Sequence, residues 1–67
     1  MMDVLIRFKD PYTTPADYII SERDMIEVTW DDTGIGYPFI VEGAESVILR
    51  IVSLARQAGN LESVIVL

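Results

Sequence analysis

Ala44–Leu67, AESVILRIVSLARQAGNLESVIVL, holds two different hydrophobic periods in succession, and the switch between them decides the fold. Ala44, Val47, Ile48, Ile51, Val52, Leu54, Ala55 and Ala58 recur at steps of three and four residues. At about 100° per residue they cover an arc of about 160°, wide enough for a helix to lie flat on a sheet. Glu42 and Glu45 stand at the positive end of the predicted helix and Arg56 near its negative end, as the macrodipole favours. Gly59 occupies the place where a left-handed residue closes a helix, so the spacing predicts a helix over 44–58, with Asn60 beginning the exit. Leu61–Leu67 then reads as a strand. Its almost unbroken Val64-Ile65-Val66-Leu67 run predicts one that is central or covered on both faces.

Upstream the period is two. Met2, Val4, Ile6 and Phe8 alternate with Asp3, Leu5, Arg7 and Lys9, which predicts a strand whose polar side is interrupted by Leu5. Asp10–Asp17, DPYTTPAD, ends it, because each proline removes a ladder donor. Tyr18–Ile20 is a short β-prone run, and Ser21–Asp24 a turn or a distortion within a longer strand. Ser21 with Asp24 also matches a capping box. The β-branched Ile26, Val28 and Thr29 argue against a helix there. Met25–Trp30 is therefore a strand with Ile26, Val28 and Trp30 inward; Asp31–Gly36 is a hairpin loop, and Tyr37–Val41 its return. Pro38 within that return suggests an edge strand or a bulge.

The expected architecture is a single α+β domain over 1–67, in the order β-β-β-β-α-β. Its two layers are a curved mixed or antiparallel sheet of four to five strands and one helix. The strand-helix-strand ending predicts a parallel return onto the same sheet. Sixty-seven residues suffice for one thin core.

The chain has no cysteine and no histidine, which excludes disulfide frameworks, thiolate zinc sites and Ser-His-Asp triads. Asp32-Thr33-Gly34 matches the tripeptide of aspartic proteases, but Asp31 before it and Ile35 after it depart from that pattern. A turn in which Asp accepts backbone hydrogen bonds and Gly supplies positive φ accounts for the same residues. Counting Asp31 as the first position of a calcium loop brings Glu42 to the twelfth, yet Thr33 is a poor ligand and Ile35 none. No catalytic residue, metal or cofactor is expected, and the chain is not read as an enzyme. No apolar run approaches the roughly 20 residues of a membrane span. Asp3, Arg7 and Lys9 break up any signal-peptide core at the start. The expected setting is the cytoplasm.

Charge is the informative feature. Eleven acids oppose five bases, a net charge of −6. Asp17, Glu22, Asp24, Glu27, Asp31, Asp32, Glu42 and Glu45 are opposed within their own stretch only by Arg23. Such a segment disfavours direct nucleic-acid binding and suits a basic protein surface, where complementary potential speeds encounter. The expected function is a small acidic protein-binding module, an inhibitor or regulator of the phage type. It would dock its hairpin on a basic, nucleic-acid-binding surface of a larger protein, its carboxylates mimicking nucleic-acid phosphates. Candidate contact residues are Glu22, Asp24, Glu27, Asp31 and Asp32, with Tyr12 and Tyr37 as aromatic anchors. The alternative is an assembly subunit that self-associates through strand edges and the helix. Leu5 and Leu49, apolar on otherwise polar faces, are its candidate contacts, and a homodimer is an open expectation.

Overall fold

In the computed structural model residues 1–21, 23–30 and 38–67 are described. Strand β1 (Met2–Phe8) is followed by a 3-10 turn (Pro15–Tyr18), strands β2 (Ile26–Trp30) and β3 (Phe39–Gly43), helix α1 (Glu45–Gln57) and strand β4 (Leu61–Val66). The strands form one sheet in the order β2-β3-β1-β4, with every neighbouring pair antiparallel. The fold is α+β, a four-stranded sheet with one helix.

The period-two pattern of β1 sorts the sheet's faces. Val4, Ile6 and Phe8 are buried together with Phe39 and Val41 of β3 and with Val47, Ile48, Ile51, Val52 and Ala55 of α1. Ile26, Val28, Leu61 and Val64 pack around this core half-buried. Phe8 closes one end, its ring 5.7 Å from Tyr18 and 6.0 Å from Phe39. The buried arc of α1 is narrower than the sequence pattern, because Ala44 and Ala58 are its exposed cap residues and Leu54 is half-buried.

The helix ends as its glycine predicts. Gly59 has φ 69°, its N–H donates to the Arg56 carbonyl (3.0 Å), and the Asn60 N–H donates to the Ala55 carbonyl (2.9 Å). Those two bonds make a Schellman motif. The entry is plainer: Ala44 is the N-cap and its side chain offers no hydrogen bond.

Three expectations are corrected. Tyr18–Ile20 is not a strand: Pro15 opens a 3-10 turn, and the Thr14 N–H donates to Asp17 Oδ2 at 2.9 Å, so local bonding outcompetes the β-propensity of the two isoleucines. Strand β3 begins two residues later than the predicted return, leaving Pro38 outside it; β3 is therefore free to be an inner strand with both sides paired. Of the mixed and antiparallel alternatives for the sheet, the antiparallel one holds. Strands β3 and β4 are each antiparallel to β1, so they run parallel to one another as predicted, but β1 lies between them. Finally, β4 is an edge strand, with Ile65 and Val66 exposed although their composition suits a covered strand. The register between β1 and β4 also shifts at Arg7/Phe8, leaving Glu62 as the extra residue of a bulge. At Ser21–Asp24 the turn alternative holds: Asp24 N–H donates to the Ser21 carbonyl at 3.0 Å.

Candidate functional site

Helix α1 covers one face of the sheet, and the other face carries no described element. Residues paired across antiparallel strands point to the same side, so the register assigns each exposed side chain a place on the open face. Glu27 pairs with Glu42, and Glu42 with Asp3, so three carboxylates stand in line on β2, β3 and β1. The next row on that face runs Thr29, Ile40, Leu5, Ile65 across all four strands. Beyond it Arg7 pairs with Ser63, and Lys9, whose N–H donates to the Asn60 carbonyl, follows at the strand end. Along β1 the open face thus changes from acidic Asp3 through apolar Leu5 to basic Arg7.

All three carboxylate residues of the first row are exposed, and none makes an ion pair with a described residue. Directly opposed like charges destabilise a sheet by fractions of a kcal/mol per pair, so the row is a local electrostatic cost that a basic partner would relieve. In the apolar row Ile40 is 43% exposed and Ile65 54%, with Leu5 half-buried between them. Leu5, an interruption in the sequence pattern, is the centre of a cross-strand aliphatic stripe.

Around the acidic end of the sheet, Met1, Met25, Ile26, Gly43, Ala44 and Val47 line an open groove of about 440 Å³ that Glu27, Glu42 and Arg23 also border. Gly43 lies in its floor, where a Cβ would be tight, 3.0 Å from Ile26 Cγ2 and 3.2 Å from the Met25 carbonyl oxygen.

The residues singled out in the sequence are only partly brought together. Glu27 is on the open face. Asp24 is not available to a partner, because its Oδ2 accepts a hydrogen bond from Arg50 Nη1 of α1 and its side chain is only 12% exposed. Tyr12 is exposed, but it follows the C-terminal end of β1, whereas Glu27 aligns with Asp3 at the N-terminal end; the two lie at opposite ends of the sheet. Glu22, Asp31, Asp32 and Tyr37, and with them the Asp32-Thr33-Gly34 tripeptide, lie outside the described residues. Leu49 is exposed on α1 while Leu5 belongs to the open sheet face, so the two cannot serve one contact. Asp3 and Glu42 were missed as partners of Glu27. Their outward phase was readable, but Glu42 meets Glu27 through the register of β2 with β3, and Asp3 joins them only because β1 pairs with β3, which no local pattern announces.

Glu27, Glu42 and Asp3 stand in line rather than converging, and among the described residues no group of three ligating side chains could hold a metal ion. No helix among the described residues is long and apolar enough to cross a membrane. The face presents an acidic row beside an aliphatic stripe. Comparison with known protein families, with curated proteins and with solved structures finds no match.

Proposed function

We propose that the chain is a non-enzymatic protein-binding module that docks the acidic row of its open sheet face against a basic protein surface. The observation that carries this reading is the alignment of Glu27, Glu42 and Asp3 on three neighbouring strands. Adjacent strands are about 4.8 Å apart, so the three charges form one compact negative line. In the finer form of the proposal the basic surface is a nucleic-acid-binding groove of a larger protein and the carboxylates stand where phosphates would, an inhibitor's or regulator's mode of action. The acidic hairpin residues Asp31 and Asp32 extend this proposal as further contacts. A second reading, an assembly subunit, is favoured by the exposed aliphatic stripe and by edge strand β4.

The test is the salt dependence of association with a basic, nucleic-acid-binding probe protein. Glu27→Lys with Glu42→Lys should slow association at least about tenfold and flatten its dependence on salt, since such charges act mainly on encounter. Glu45→Lys with Glu62→Lys changes net charge equally at exposed sites away from the row. Equal losses from the two pairs would reduce the acidity to a solubility feature. A competing oligonucleotide should displace the chain if the phosphate-mimicking form holds.

A further inference from the structure

We infer that the open face has a specific occupant, a second copy of this chain, stacked sheet against sheet about a two-fold axis running along the Thr29–Ile40–Leu5–Ile65 row. The inference rests on the acidic row being a contact surface, as proposed above, and it identifies the basic surface that meets it. That surface is present on the chain itself.

The argument is one of charge order. On the open face β1 presents Asp3, then Leu5, then Arg7. A two-fold axis in the plane of the interface and perpendicular to the strands lays β1 antiparallel over its copy. Leu5 then meets Leu5, Ile40 meets Ile40 and Ile65 meets Ile65, while Asp3 of each copy lies over Arg7 of the other. Glu42, one strand away from Asp3, falls within the sweep of the same guanidinium. The other in-plane two-fold, parallel to the strands, would set acidic row upon acidic row and is rejected by repulsion. Stacked sheets lie about 10 Å apart, a gap that an arginine and a carboxylate side chain span from opposite sides. Arg7 is exposed and makes no ion pair among the described residues.

Size sets the strength. Four strands at about 4.8 Å and three residue rows give a face on the order of 400 Å² per copy, about half of what a standard stable interface contributes. The dimer is therefore reversible, forming between roughly micromolar and millimolar concentration, and a basic partner protein competes with it for the acidic row.

The experiment is sedimentation equilibrium of the full chain from about 10 µM to 1 mM, with folding checked by circular dichroism. The parent should show a monomer–dimer equilibrium. Asp3→Lys and Arg7→Glu, both at exposed positions, should each weaken self-association at least about tenfold, because each puts like charges opposite one another twice. Mixed in equal amounts, the two variants should recover a dimer, since Lys at position 3 of one copy then faces Glu at position 7 of the other while the native pair forms on the opposite side. Ile65→Lys should abolish the dimer with either charge pattern. A chain that stays monomeric at 1 mM overturns the inference, and the binding of a basic protein through Glu27 and Glu42 then stands or falls on its own test. A dimer indifferent to Asp3→Lys and Arg7→Glu, but lost on Val64→Pro, would be an edge-to-edge pairing of β4 and would also overturn it. Recovery in the mixture, with the basic probe protein unmoved by the Glu27 and Glu42 reversals, would leave self-association as the purpose of the face.

Discussion

Asn60 holds three segments through one side chain. Its Oδ1 accepts from the Asp10 N–H at 2.7 Å, and its Nδ2 donates to Thr13 Oγ1 at 2.9 Å and to Tyr18 Oη at 3.1 Å. Thr13 is the one buried polar residue among those described, 8% exposed, and this bond satisfies its hydroxyl. A buried hydroxyl left without a partner costs more than the bond itself gains. Asn60→Ala should therefore lower stability by about 1–3 kcal/mol, measured by urea unfolding, and should loosen the 10–18 loop first in hydrogen exchange. A loss within about 0.3 kcal/mol would mean that water replaces the amide at no cost. From the sequence Asn60 was only the residue after the helix-ending glycine; its distant partners are set by how β1 delivers its C-terminal end to that of α1.

Helix α1 illustrates an element whose stability is tertiary. Thirteen residues with an alanine cap are marginal as an isolated helix, so the burial of Val47, Ile48, Ile51, Val52 and Ala55 on the sheet is what holds it. Ile51 is 2% exposed at the centre of that face. Ile51→Ala should cost about 2–5 kcal/mol, the usual range for truncating a core isoleucine, and circular dichroism should show helix and sheet signals failing together. A change under about 0.5 kcal/mol would contradict the burial. The Arg50–Asp24 ion pair fastens the opposite side of the helix to the segment before β2. Its worth is smaller because the arginine is 37% exposed and solvent screens it.

At the scale of the whole molecule the described residues form one core. The same buried cluster contains residues of β1, β3 and α1, with β2 and β4 packed at its margins. Removing any element opens that cluster, so unfolding should be a single cooperative transition, as in other small domains. Tryptophan fluorescence and far-ultraviolet circular dichroism should give coincident urea curves with a shallow slope, about 1 kcal/mol per M. Curves that separate would show that the two-strand margin at β2 opens independently. A single helix layer also leaves half of the sheet's side chains facing outward, and this is what opens a whole face to the contacts proposed above.

Much of this was written in local pattern. The helix over 44–58, the strand phases of β1 and β2, the presence of a strand after the helix, the glycine that ends the helix and the antiparallel character of the N-terminal half all follow from periodicity and backbone preference, which act over a few residues. So does the outward phase of Glu27. The order β2-β3-β1-β4 was decided only by the tertiary structure, because strand order depends on contacts between residues distant in sequence. That order turned an apolar C-terminal strand into an exposed edge and seated Leu5 between Ile40 and Ile65. It also drew Asp3 from the start of the chain into line with Glu42 and Glu27. Net acidity belongs to the sequence alone, since composition is independent of folding. The alignment of three of the eleven acids in one row, with Arg7 four residues along β1 from Asp3, belongs to the register, since only pairing across strands brings those charges into line.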